Sequence, residues 1–292
     1  MDKPLSFSFD PEIRAMLEAR IDGMRLVDDI FFKACLKDNP KAAEAIIRVA
    51  LDMPDVTVES VHIQDESAFL AARNVRFDLK VRDKKGRLFD VEVQKDKLPE
   101  LARRSRYYMG SLTVESLSRG GKIERLPDAY VLFVCETDPF GDGKPVYDFV
   151  RTDRRNKTSR VLEDGSHTVF FNCAYKGDDA YGRLAFDMLS ADSAKIGDPV
   201  LRDAAHRGKI GERRTDVMSD LAKELVELGE KRGLEKGLEK GREEGREEGR
   251  KEGAEQSKRE IALALLNQGL GTPEQIAEAT GLPLETVLSL KK

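Results

Sequence analysis

Residues 75–95 (VRFDLKVRDKKGRLFDVEVQK) alternate between apolar and polar side chains on both sides of a polar centre. Successive strand residues point to opposite sheet faces, so this pattern predicts a β-hairpin. Phe77, Leu79 and Val81 form the apolar row of the first arm, and Arg76, Asp78, Lys80 and Arg82 form its polar row. On the second arm Phe89, Val91 and Val93 are apolar, and Asp90, Glu92 and Gln94 are polar. Asp83-Lys84-Lys85-Gly86 supplies the turn, with Gly86 free to take a positive φ. With both apolar rows on one core, Asp78 joins the Asp90, Glu92 and Gln94 row on the opposite face.

Helical spacing of Ile13, Met16, Leu17 and Ile21 predicts a helix from Pro11 to Ile21. Asp28-Asp29 can cap a helix from Ile30 to Leu36, and another opens at Pro40 or Lys41 and runs to about Leu51. Val56 to Ile63 reads as a strand. Leu98 to Ser118 reads as a long helix, closed by Gly120-Gly121. The continuous apolar run Ala129 to Cys135 (AYVLFVC) suits a central strand buried on both faces. Short strands follow at Val146 to Val150 and Thr168 to Asn172, then helices at Ala180 to Leu189, Asp198 to Arg207 and Thr215 to Glu230. Intermixed strands and helices make residues 1–212 one α/β domain.

After Glu230 the pattern changes. Glycine recurs every fourth residue from Gly233 to Gly253, with charged residues between. Glu239/Glu243, Glu243/Glu247 and Arg242/Arg246 are like-charged at i,i+4, whereas Glu239/Arg242, Glu243/Arg246 and Glu247/Arg250 at i,i+3 and Lys240/Glu244 and Glu247/Lys251 at i,i+4 are favourable. Each internal glycine costs about 1 kcal/mol relative to alanine. Residues 213–256 therefore read either as a charged, partly helical linker or as a coil whose charges another chain neutralises. Residues 257–292 have a compact helical pattern with a Thr272-x-x-Gln275 capping box and Pro273 at the first helical position. Its helix-turn-helix-like spacing offers Glu285, Thr286 and Ser289 where base-reading arginine, asparagine or glutamine would stand. Docking or oligomerisation is the favoured role for this tail.

Bulk properties narrow the setting. The chain has 292 residues, enough for one or two domains, and its 36% charged residues fit a solvated extension on a globular core. A net charge of −4 does not point to nucleic acid by itself, since a local basic patch decides that. Cys35, Cys135 and Cys173 are far apart and odd in number, which fits a reducing, cytoplasmic compartment. The longest apolar run is too short to span a bilayer, so no membrane partner is expected. His62, His167 and His206 show no ligand spacing.

Carboxylates from two neighbouring strands can seat a hard divalent cation. The alternation equally describes a solvated polar face whose acids pair with Arg76, Lys80 and Arg82. Aspartate is disfavoured at a strand centre, which sets Asp78 apart, and a helix with Arg104, Arg106 and Tyr108 follows directly. These residues resemble a known family. FD, a glycine turn and DVEVQ look like the D…E-x-Q variant of the PD-(D/E)XK nucleases, closest to the recombination-promoting nuclease and transposase group. DDIFFK at 28–33, RSRYYMGSL at 104–112, the 130–149 segment, the glycine repeat and the tail extend the resemblance.

The resemblance implies a restriction-endonuclease-like mixed sheet flanked by helices, with a helical C-terminal extension. It implies a Mg²⁺-dependent DNA endonuclease linked to recombination or transposition, with Mn²⁺ as a substitute ion. Asp78 and Glu92 would hold the metal, and Gln94 stands where the wider fold has lysine. Asp29 and Asp90 would support the site, although a helix cap and a salt bridge are the competing roles. Lys33, Arg104, Arg106 and Tyr108 would face DNA phosphates. The alternative is a catalytically silent nucleic-acid-binding or assembly protein on the same fold, oligomeric through its C-terminal region.

Overall fold

The computed structural model describes residues 10–63, 66–67, 75–97, 99–117, 121–155 and 160–290. The expected helix limits at Leu98 and Ser118, the closing Gly120 and the Arg76 side chain lie outside the described residues. Two compact units divide at residues 223 and 224.

The first unit begins with α1 (Pro11–Asp22), α2 (Asp29–Leu36) and α3 (Pro40–Ala50). Asn39 caps α3 by accepting from the Ala42 N–H, as a short polar side chain does before a proline-opened helix. The expected cap on α2 does not form: Asp28 makes no cap bond, and Asp29 lies inside the first turn. Strands β1 (Val58–Ile63), β2 (Glu66–Ser67), β3 (Val75–Arg76), β4 (Leu79–Asp83) and β5 (Leu88–Gln94) follow. Then come α4 (Leu101–Ser116), β6 (Ala129–Cys135), β7 (Val146–Phe149), β8 (Ser166–Asn172), α5 (Ala180–Leu189) and α6 (Pro199–Gly208).

Six strands form one mixed sheet in the order β1-β4-β5-β6-β8-β7. Its centre, β5-β6-β8, is parallel, while β1-β4-β5 and β7-β8 pair antiparallel. The hairpin keeps the register that alternation requires, with Leu79 opposite Val91, Lys80 opposite Asp90 and Val81 opposite Phe89. Gly86 closes its turn at φ 82°. Helix α4 covers one face, burying Leu88, Val131, Phe133 and Phe170 against Leu101, Met109 and Leu112. The alternate residues Phe89, Val91, Leu132, Val134 and Phe171 are buried as well, which requires a second layer. Helices α2 and α3 pack on β5 and β1, and α5 and α6 pack on α3.

Two expectations for the hairpin change. The first arm is not continuous: the chain bends at Phe77-Asp78, between β3 and β4. Phe77 therefore packs on the α4 side, edge-on to Tyr108 at 5.8 Å between ring centroids, away from the side of Leu79. The polar row is also not solvated. α4 covers it, leaving Asp90 and Glu92 0% and 3% exposed.

Helix α7 (Gly211–Asn267) runs for 57 residues through the glycine repeat without a break. The i,i+3 attractions expected there do not form. The two i,i+4 pairs expected there do form: Lys240 meets Glu244 at 3.6 Å and Lys251 meets Glu247 at 2.9 Å. In the second unit α8 (Pro273–Thr280) and α9 (Leu284–Ser289) fold back on the end of α7. Ala262, Ile276, Leu282 and Val287 form a small core. The Thr272–Gln275 capping box is present, and Gly281 ends α8 at φ 68°.

Candidate active site

The acids gather where β4 begins and β5 ends. Asp78 stands at the bend, so its backbone N–H is free of the ladder and donates to Glu92 Oε1 at 2.8 Å. Its carboxylate accepts from the Val93 N–H at 3.3 Å. The parity of β5 turns Glu92 and Gln94 toward α4, beside Phe133 and Cys135 of β6. Asp90, one step back on the same row, is fully buried; its oxygens accept no bond from a backbone N–H or a basic side chain, and the Glu92 carboxyl lies within hydrogen-bonding reach.

This arrangement is short of positive charge. Burial, then the charge of Asp29, pushes the Asp78 carboxyl up to about 6 against the pull of Lys33. Burial and the Asp78 charge push Glu92 up to about 8. Burial, reinforced by the neighbouring Glu92, drives Asp90 well above the carboxylate range. Taking a charge out of water costs several kcal/mol unless it is paired, so such groups hold protons or gather cations.

The cations come from helices on both sides. Lys33 of α2, 11% exposed, reaches Asp78 Oδ1 at 2.7 Å and Asp29 at 2.6 Å. Burial opposes its charge, but the two carboxylates outweigh it and raise its pKa. On α4, Arg104 donates to Gln94 Oε1 at 3.0 Å and to the Tyr108 hydroxyl at 3.2 Å. The i,i+4 spacing of Arg104 and Tyr108 places both on the inner face of the helix. Tyr108 also lies within hydrogen-bonding reach of Glu92. Gln94 donates its amide N–H to the Asp96 carbonyl at 2.8 Å, fixing which of its atoms meets Arg104.

Asp78, Glu92, Gln94, Asp29, Asp90, Lys33, Arg104 and Tyr108 thus form one neighbourhood, while Arg106 is exposed on the outer face of α4. Lys33 is held by the carboxylates of Asp29 and Asp78, and Arg104 and Tyr108 turn inward to the site. Asp90 makes no salt bridge to Lys80, whose ammonium pairs with Glu115 of α4 at 2.9 Å. Sequence spacing missed the Lys33–Asp78 contact because 45 positions of chain separate the two residues. The Arg104–Gln94 bond was readable in principle from a helix that returns over the preceding strand.

Among the described residues, no group of three or more His, Cys, Asp or Glu side chains is arranged to hold a metal ion. Asp78 and Glu92 are the two carboxylates here that could hold a hard cation that keeps water ligands. A separate cavity of about 920 Å³ between α3, α5 and α6 contains none of these acids.

A mixed sheet with a parallel centre, an antiparallel hairpin carrying the acids and helices on both faces is a restriction-endonuclease-like core. Residues 45–171 match the family described as PD-(D/E)XK nuclease family transposase. The matched segment contains Asp78, Glu92, Gln94 and Arg104; Asp29 and Lys33 precede it, and α7 follows it. No curated protein and no solved structure matches the chain.

Proposed function

We propose that this protein is a metal-dependent DNA endonuclease that hydrolyses phosphodiester bonds in recombination or transposition within the cytoplasm. The observation that carries this reading is the buried acid cluster, in which the Asp78 N–H donates to Glu92 and a third buried carboxyl, Asp90, stands beside Glu92 with no cation of its own. Asp78 and Glu92 would hold Mg²⁺, with Mn²⁺ as its substitute. Such an ion supplies charge neutralisation for the phosphate and lowers the pKa of a bound water. The chain's own residues do the rest. Gln94 cannot supply the positive charge of a lysine but holds Arg104, whose guanidinium suits a phosphate oxygen. Lys33 neutralises Asp78 and, on exchange of that carboxylate for a metal, becomes available to an anion beside the site. DNA is the substrate that the family match supports, and exposed Arg106 is suited to its backbone.

Plasmid nicking with and without Mg²⁺ tests this reading on the wild type, Asp78→Asn and Glu92→Gln. Metal-dependent nicking that both substitutions abolish is expected. Nicking unchanged in both would refute the site. The ion pair between Lys33 and Asp78 favours one competing reading, a catalytically silent nucleic-acid-binding protein in which lysine replaces the metal. Calorimetric titration with Mg²⁺ separates the two readings, since the silent protein would take up no ion at Asp78. The C-terminal region, on our reading, joins copies of the chain into a homo-oligomer.

A further inference from the structure

We propose that α7 seats a second copy of the same helix along its glycine row, parallel to itself. This deepens the homo-oligomer reading and is independent of the nuclease site. In an α-helix each residue turns by roughly 100°, so the residues before and after each glycine flank it on opposite sides. The side after the glycines carries Leu234 and Leu238, then Arg242, Arg246 and Arg250. The side before them carries Lys236 and Lys240, then Glu244, Glu248 and Glu252. Over residues 242–252 the glycine row therefore has one positive and one negative lip.

Most of these lip charges are not ion-paired within the helix; Glu244, paired with Lys240, is the exception. Among the described residues, Arg242, Arg246, Arg250, Glu248 and Glu252 make no ion pair. A β-carbon placed on Gly233, Gly237, Gly241, Gly245 or Gly249 would meet nothing within 4 Å, so a backbone can approach there. A groove of about 470 Å³ follows Gly233, Gly237 and Gly241, walled by Leu234 and Leu238, which are 66% and 57% exposed.

A second copy answers both features. With a two-fold axis along the pair, the arginine lip of each helix lies on the glutamate lip of the other, twice over. Packing of i±4 rows crosses helices at about −50°, which limits close contact to a few glycines around the crossing. A nucleic acid would meet the glutamate lip unfavourably, so a chain carrying both signs is the better occupant.

Sedimentation velocity of the full chain, without Mg²⁺ or nucleic acid, tests the proposal. It compares the wild type with R242E/R246E/R250E and with E244R/E248R/E252R. The wild type is expected to dimerise reversibly and to weaken in high salt, because exposed charges are screened. Each triple variant alone should associate at least about tenfold more weakly, and an equimolar mixture should recover a heterodimer. A wild type monomeric at high concentration overturns both the oligomer reading and this seating. Dimers unaffected by either variant, or a mixture that stays apart with helicity intact, overturn the seating alone. If circular dichroism shows that the charge variants lose helix, G241Q/G245Q decides. Glutamine is the better helix former, so association lost with helicity kept supports the glycine seat, and association retained overturns it.

Discussion

Glu92→Gln should stabilise the metal-free protein at neutral pH while abolishing cleavage. Glu92 sits 3% exposed with its pKa raised from 4.5 to about 8 by burial first and by Asp78 second. A carboxyl whose folded pKa lies above its unfolded value binds its proton more tightly in the fold. Its contribution to stability is complete below 4.5 and disappears as pH rises through 8. Each pH unit above 4.5 removes about 1.4 kcal/mol until the folded group itself ionises, so roughly 3 kcal/mol is gone by pH 7. Glutamine has no proton to lose. Its Oε1 can still accept from the Asp78 N–H, and its amide can donate to the adjacent Asp90 carboxyl. Urea unfolding in a chelator should therefore show Glu92→Gln about 3 kcal/mol more stable than the wild type at pH 7. The two should be nearly equal near pH 4. Added Mg²⁺ should raise the stability of the wild type and leave the variant unchanged, because a ligand stabilises the state that binds it. A variant destabilised equally at both pH values would show that Glu92 is an ordinary structural acid. Cleavage that survives the substitution would remove Glu92 from the metal.

Three further outcomes follow from single contacts. Lys33→Met strips the cation from Asp78 and should cost roughly 3–5 kcal/mol by unfolding at pH 7, with a smaller loss at acid pH where Asp78 is neutral. Arg104→Met frees Gln94 and Tyr108 together and should lower the cleavage rate by about two orders of magnitude. The fold should change little, because α4 keeps its apolar seam; a rate within twofold of the wild type would exclude Arg104 from the reaction. Gly182→Ala drives a methyl into the Gly177 carbonyl oxygen and should cost about 2 kcal/mol or more in chemical unfolding.

Much of the scaffold was legible because local chemistry decided it. AYVLFVC gave the limits of β6, the helical pattern from Ala180 to Leu189 gave those of α5, and Gly86 marked the hairpin turn. The hairpin register followed from parity alone, since a one-residue slip would turn every side chain to the wrong face. Parity failed at Phe77 because it counts residues and does not see a bend. Phe77 is apolar whichever side it takes, so nothing in its identity shows the change of face.

The burial of the acids is a different kind of failure, and it was avoidable. A run as apolar as β6 must be covered on both faces, and β5 pairs with it along its whole length. The polar row of β5 therefore had to lie beside Val131 and Phe133, under whatever helix covered them. Acids there are too costly to leave charged and unpaired, whereas the solvated face that alternation suggested would have made them ordinary. Arg104 reaches Gln94 because α4 returns over the strand before it, whereas Lys33 reaches Asp78 only when α2 closes over that row, a long-range event that no local spacing encodes. The D-E-Q pattern therefore identifies the strand that carries the chemistry, and the two covering helices determine what charge reaches it.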